Sequence, residues 1–309
     1  MERRTAFITG ASRGIGKSCA IQLAKAGYDV AISARTVHEG EAREHSSTLK
    51  KSNTTPLPGS LEATAALVEA EGREAFMVPA DLLDAASLGA AAARVLDHWG
   101  APDVIVHNGR YIGPGHMDRF IDTPIELLQK QIWGNVLAPL TLNRLFLPAM
   151  IQRGGGIIVN ITSASGYADP TKPAGEGGWG MGYGISKGAF QRVAGFLAVE
   201  LGDQGIICVN VQPGLIATER IAADMGEFGI PLGAPADVVG VLVSWLATEP
   251  EVKEYNGKTI EAQYFVHERG LLPGWDGPEW RDNHIDYELA GARLAALEED
   301  LKVRNPAKS

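Results

Sequence analysis

Thr9-Gly10-Ala11-Ser12-Arg13-Gly14-Ile15-Gly16 follows the apolar run Ala6-Phe7-Ile8 and opens a helix-patterned segment from Gly14 to Ala26. Glycines at this spacing allow a tight turn and let a ligand approach the main chain. The N–H groups and dipole at the start of the helix can then receive a diphosphate. A glycine triplet alone says little, because such turns also serve packing. A strand before it and a helix after it are what make it a dinucleotide turn.

Outward from this turn the chain alternates. Ala6–Thr9, Asp29–Ser33, Ala75–Pro79, Val104–His107, Gly156–Ile161, Ile206–Val211 and Thr259–Phe265 read as strands. Helical stretches near Leu61–Glu71, Thr123–Met150, Tyr183–Leu201 and Ala236–Ala247 lie between them. Repetition of β and α elements predicts an α/β fold, a doubly wound parallel seven-stranded sheet with helices on both faces. The expected organisation is one domain over residues 1–269, with residues 270–309 as a C-terminal extension.

The chain has 309 residues, 45% of them hydrophobic, enough for a substantial core. Its net charge of −9 argues against nucleic acid as a partner. No uninterrupted apolar run reaches membrane-spanning length, and the short run after Met1-Glu2-Arg3-Arg4 does not form a signal peptide. Two cysteines, Cys19 and Cys208, stand far apart in apolar segments, which fits a reducing cytoplasm and no disulfide framework. The seven histidines show no metal-ligand spacing, so no metal is expected.

Tyr183 and Lys187 share one helix face at a spacing of i and i+4, and Ser163 precedes them. A phenol has a pKa of about 10, and a neighbouring ammonium stabilises the phenolate. Such a pair can pass a proton to or from an oxygen that changes charge when a carbonyl is reduced. At the end of the second strand, Ser33-Ala34-Arg35 carries no acid to grip a ribose. Arg35 and Arg13 together can clamp a 2′-phosphate, favouring NADP (NADPH) over NAD; the alternative is two surface arginines.

With these motifs in order, the chain from about Thr5 to Phe265 resembles the short-chain dehydrogenase/reductase family, in its single-domain Rossmann-like form with a T-G-x-x-x-G-x-G turn and Y-x-x-x-K. The resemblance implies a catalytic set of Asn135, Ser163, Tyr183 and Lys187: Tyr183 as proton donor, Ser163 polarising the substrate oxygen, Lys187 holding the nicotinamide ribose, and Asn135 positioning a water. It also implies coenzyme contacts from Gly10, Ser12, Arg13, Gly14, Ile15 and Gly16. Asp81 and Leu82 would lie at the adenine, Asn108 and Gly109 after the fourth strand, and Pro213, Gly214 and Thr218 beside the nicotinamide. The implied activity is interconversion of a ketone or aldehyde and a secondary alcohol on a small molecule, in a homodimer or homotetramer.

Several features depart from the family pattern. His107-Asn108-Gly109-Arg110 stands where N-N-A-G is usual, placing a large cation beside the coenzyme or toward solvent. Thr36–Ser60 is polar and reads as a surface insertion, most simply a mobile loop. Gly166–Gly182 lengthens the interval between Ser163 and Tyr183. Its Trp179 and Met181, with Ile216, Met225, Phe228 and Ile230 of the 215–232 lid, suggest a hydrophobic substrate; packing of the loop on the domain's own surface explains Trp179 and Met181 equally well. In the tail, Trp275, Trp280 and a stripe of Ile285, Leu289, Leu297 and Leu301 call for a partner surface. An epimerase or dehydratase would need T-G-x-x-G-x-x-G and a larger C-terminal domain. A non-catalytic NADP(H)-binding regulatory or scaffold protein is the alternative from another class.

Overall fold

The computed structural model describes residues 3–225 and 233–278. In chain order these form β1 (Thr5–Thr9), α1 (Gly14–Lys25), β2 (Asp29–Ser33), α2 (Leu61–Ala70), β3 (Ala75–Met77), α3 (Ala85–Trp99) and β4 (Val104–His107). Next come α4 (Ile125–Ile132), α5 (Ala138–Arg153), β5 (Gly156–Ile161), α6 (Met181–Leu201) and β6 (Ile206–Gln212). The short pair β7 (Ile216–Ala217) and β8 (Ala234–Pro235) precedes α7 (Asp237–Thr248), β9 (Thr259–Glu261) and α8 (Ala262–Glu268).

Seven strands make one sheet in the order β3-β2-β1-β4-β5-β6-β9, with every pairing parallel. Both faces are covered, so β1, β2 and β4 are buried at every position. Alternate residues serve opposite faces: Ala6 and Ile8 join one core with residues of α1, α2 and α7, while Phe7 joins another with residues of α3, α5 and α6. Cys19 lies in the first core and Cys208 in the second, both as free thiols. The strand order reverses between β1 and β4, and in such sheets the crevice beyond the strand ends at that point is where ligands bind.

The structure corrects three expectations. α3 has no counterpart in the sequence reading, although Asp84 caps it by accepting from the N–H groups of Ala86 and Ser87, and Gly100 ends it. The final strand stops at Glu261, where the apolar residues continue as α8 rather than as strand. The single helix expected over 123–150 is α4 and α5 joined by a π-helical turn at Trp133–Leu137.

The 36–60 insertion lies at the surface, exposed over much of its length, and is anchored at its middle. Its residues His45, Ser46, Ser47 and Thr48 are buried. Thr48 Oγ1 donates to Asp118 Oδ1 at 2.6 Å, Met117 N donates to Ser47 O at 2.9 Å, and Arg220 Nη2 donates to Ser47 Oγ at 2.7 Å.

One compact unit runs through Asp276, and Leu271, Leu272 and Trp275 pack on its core. Residues 277–309 form a second unit, of which only Gly277 and Pro278 are described. The expectations for Trp280 and for the stripe from Ile285 to Leu301 therefore lie outside the described residues.

Candidate active site

The turn after β1 is held from β4. Asn108 Nδ2 donates to the carbonyls of Thr9 and Gly10, both at 3.0 Å, and Gly109 N donates to Thr9 Oγ1 at 2.9 Å. Gly10 and Gly14 take φ of +67° and +55°, which an L side chain resists. A Cβ at Gly16 would overlap the carbonyl oxygen of Gly10 and come 2.5 Å from Asn108 Nδ2. Gly16 is thus needed for close packing of α1 on the turn and does not itself line the cleft. The N-cap of α1, Arg13, offers no side-chain acceptor, and the first turn has no acid. The N–H groups there suit an anion. Glu219 stands there, paired to Lys17 at 2.7 Å; burial pushes its pKa up, but the hydrogen bond and charge of Lys17 together with the backbone N–H groups of Glu219 and Gly14 bring it below the ordinary carboxylate value.

A cleft of about 390 Å³ runs along the strand ends. Arg35, Asp81 and Leu82 line it beyond β2 and β3. Gly10, Ser12, Arg13, Gly14 and Ile15, with Asn108 and Gly109, line its middle. Beyond β5 and β6 the walls are Ser163, Tyr183 and Lys187, then Pro213, Gly214 and Thr218. All the sequence-predicted catalytic and coenzyme residues except Gly16 and Asn135 therefore line one cavity.

Asn135 is buried in the π-helical turn. Its Oδ1 accepts from Tyr111 N at 2.7 Å and its Nδ2 donates to Ser186 Oγ at 2.9 Å; Ser186 Oγ in turn donates to the Tyr183 carbonyl at 2.9 Å. It therefore ties the loop after β4 to the turn of α6 that carries Tyr183 and Lys187. Lys187 is 4% exposed and donates from Nζ to the Ile161 carbonyl at 2.8 Å. Burial, then the charge of Arg110, brings its pKa down to about 7. Ser163 Oγ accepts from Ser165 N at 3.3 Å. Among the described residues the Tyr183 hydroxyl has no protein hydrogen-bond partner.

Arg13 and Arg35 face the same cleft but are differently engaged. Arg13 donates to the carbonyls of Pro58 at 2.9 Å and Gly59 at 2.6 Å, both in the insertion. Arg35 Nη1 lies 3.9 Å from Asp81 Oδ2. The insertion also contributes Glu41, Arg43, Glu44 and His45 to the wall.

Trp179 and Met181 do not line this cleft. They face a second, more open cavity of about 620 Å³ with Phe120 and Tyr167, so the 166–182 segment packs beside the site rather than over it. Leu215, Ile216 and Ile221 line the first cavity. Phe228 and Ile230 lie outside the described residues, as does the side chain of Met225.

Among the cavity residues that no motif marked are His116 and Arg220. The His116 ring stands edge-on to Tyr183, with centroids 4.3 Å apart. His107, the odd residue of the fourth-strand motif, is buried and bonds Asn143 Oδ1 at 2.7 Å; burial brings its pKa down to about 4, and it is a neutral structural residue.

Among the described residues, no cluster of three or more His, Cys, Asp or Glu is placed to hold a metal, and no helix is long and apolar enough to cross a membrane.

A glycine turn at the β1/β4 switch point, opening on a Tyr/Lys pair, defines a dinucleotide-binding fold of dehydrogenase type. The family model for short chain dehydrogenases matches residues 4–59 and 50–225, and the chain belongs to that family. It is 31% identical over 233 residues to human dehydrogenase/reductase SDR family member 7, covering 75% of this chain and 61% of that protein. The chain thus spans about three-fifths of that relative's length, and 56% of its mouse counterpart's. It is 29% identical over 255 residues to L-rhamnose 1-dehydrogenase (NAD(P)(+)) of Sphingomonas sp., covering 79% of this chain and 89% of that one. Among solved structures, an alcohol dehydrogenase from the archaeon Thermococcus sibiricus, complexed with 5-hydroxy-NADP, matches with a TM-score of 0.63 at 25% identity, covering 84% of this chain and 96% of that one.

Proposed function

We propose that the protein is an NADP-preferring oxidoreductase that interconverts a carbonyl and a secondary alcohol on a small molecule. The observation that carries this reading is the convergence of Tyr183 and Lys187 on the cleft that begins at the Gly10–Gly14 turn. The residues fit a nicotinamide dinucleotide: the turn is one a Cβ would fill, and the start of α1, where the N-cap side chain and first turn supply no acid and the Glu219 carboxylate meets the Gly14 N–H, suits a diphosphate. When bound, the nicotinamide supplies or takes the hydride.

The chain's own groups do the rest. Tyr183 holds the proton that passes to or from the substrate oxygen, and Ser163 donates a hydrogen bond to the same oxygen. Lys187 holds the coenzyme ribose and sets the local charge. Asn135 acts by positioning, through Ser186 and Tyr111. Arg35, facing the cleft with Arg13 near enough to feel its charge, supports a 2′-phosphate site. Ile112, Leu215 and Ile221 offer the substrate an apolar wall. The exposed Leu137, Leu145, Phe196 and Val199 on and beside α5 and α6 support a homodimer or homotetramer. The two buried free thiols fit a cytoplasmic protein.

The test is a panel of ketones, aldehydes and alcohols assayed with NADP(H) and, in parallel, NAD(H). Tyr183→Phe should lower kcat by about 10²–10⁴ or more while NADPH still binds. Wild-type turnover retained in that variant would refute the role of Tyr183.

A further inference from the structure

The redox end of the cleft is cationic. Arg110, Arg220 and Lys187 all line it with His116, and all three charges act on that imidazole. Burial, then Arg110, Arg220 and Lys187, hold the pKa of His116 well below its ordinary value, so its ring is neutral and can donate one N–H. His116 is 8% exposed, and among the described residues its ring nitrogens have no hydrogen-bond partner. Arg220 is engaged with the insertion through His45 O and Ser47 Oγ, and Lys187 with Ile161 O. Arg110 is different. Its Nη1 donates to Tyr111 O at 3.0 Å, its Cζ lies 5.6 Å from the Tyr183 ring centroid, and among the described residues no carboxylate pairs with it.

The acids of the cavity wall are Glu41, Glu44 and Asp81, in the insertion and after β3. Asp118, near in sequence to His116, is outside the wall and already accepts from Thr48 Oγ1, Leu49 N and Gly115 N. A cation held in a cleft without a counter-charge awaits an anion. The start of α1 already provides for a diphosphate, so the anion that meets Arg110 belongs to the other reactant.

Resting on the oxidoreductase reading above, we propose that Arg110 and His116 form an anion subsite beside Tyr183, and that the substrate is an oxo acid or the corresponding hydroxy acid. Both groups stand against the Tyr183 ring, so the carboxylate lies within a few bonds of the reacting carbonyl. In the reduction, hydride adds to the carbonyl carbon, the C=O π bond breaks onto oxygen, and oxygen takes the Tyr183 proton. The carboxylate is unchanged; it orients the substrate.

The experiment compares phenylpyruvate, acetoacetate and levulinate with their methyl esters, using NADPH, in wild type, Arg110→Met and Arg110→Lys. The readout is the ratio of kcat/KM for acid over ester, in which shared effects on Tyr183 and Lys187 cancel. Wild type should favour at least one acid, and Arg110→Met should lower that ratio by about 10- to 100-fold, the worth of a charge-assisted hydrogen bond. Arg110→Lys should keep part of it. A wild-type ratio near one for every pair, or a ratio unchanged in Arg110→Met, overturns the subsite. So does an Arg110→Met effect seen only as weaker NADPH binding, which would assign the cation to the coenzyme. Turnover of neutral ketones with no preference for acids sinks the subsite and leaves the oxidoreductase reading standing. Failure to turn over any carbonyl sinks that reading instead. Binding is then read as the rise in Tm of the NADPH-saturated protein with each acid and ester, and equal rises overturn the subsite.

Discussion

Lys187 offers a direct measurement of the electrostatics of this site. Its pKa falls from 10.5 to about 7 in the folded protein, through burial and then Arg110. A fall of that size corresponds to about 5 kcal/mol against the charged form. In the unfolded chain the amine keeps its proton up to its ordinary pKa, so between about pH 7 and 10.5 the unfolded state binds more protons than the folded one. Stability therefore rises with pH through that window. Below it both states are protonated and the whole destabilisation is present.

The perturbation is Lys187→Met, which keeps the apolar stem and removes the charge. Subtracting its unfolding free energy from that of wild type cancels every other titrating group. The difference should move in favour of wild type by about 2.5 kcal/mol from pH 6.5 to pH 9, which is about 4–6 °C in Tm for a domain of this size. Thermal unfolding of the coenzyme-free protein, followed by near-UV circular dichroism at matched ionic strength, reads it. Parallel Tm curves for the two proteins across that range would refute the claim that a desolvated ammonium sits beside Tyr183.

Arg35→Asp should raise KM for NADPH about 10-fold or more, with far less effect on NADH, because it removes a charge-assisted contact and adds repulsion; equal loss with both coenzymes would count against a phosphate clamp. Asp118→Ala removes the acceptor of three hydrogen bonds, including those from Thr48 Oγ1 at 2.6 Å and Leu49 N at 2.8 Å. It should cost about 2–4 kcal/mol and open the 36–60 segment to limited proteolysis; unchanged cleavage would show that the insertion is held some other way.

The sheet was legible because both its faces are covered. Runs such as Val104–His107 and Ile206–Gln212 are apolar on both sides, and the turn glycines follow β1 directly. The break between α4 and α5 was signalled locally, by Gly134 within it and by Pro139, which has no N–H to bond the Asn135 carbonyl. What no local pattern shows is that the Asn135 side chain in this turn bonds Tyr111 and Ser186, contacts made across the fold. α3 carried its own signals in Asp84 and Gly100, and its buried face of Leu88, Ala91, Ala92 and Val95 keeps helical spacing, but two of those four are alanines, scarcely distinct from the alanines around them. β9 turned into α8 at Ala262 although the apolar run continues. The insertion is the surface segment its polarity implies; the anchoring of His45–Thr48 comes from partners distant in sequence, Asp118 and Arg220, which no local pattern reveals.

Two of the departures from the family pattern, the 36–60 insertion and Arg110, meet in one place. The insertion reaches Arg220, Arg220 acts on His116, and His116 and Arg110 flank the ring of Tyr183. Arg110 also helps set the charge state of Lys187. An anion at Arg110 would oppose the charge that depresses Lys187 and so raise that amine's pKa, returning it toward the ammonium form beside the phenol. Substrate recognition and the protonation of the catalytic pair are then coupled through a single guanidinium, which N-N-A-G, with glycine at that position, lacks.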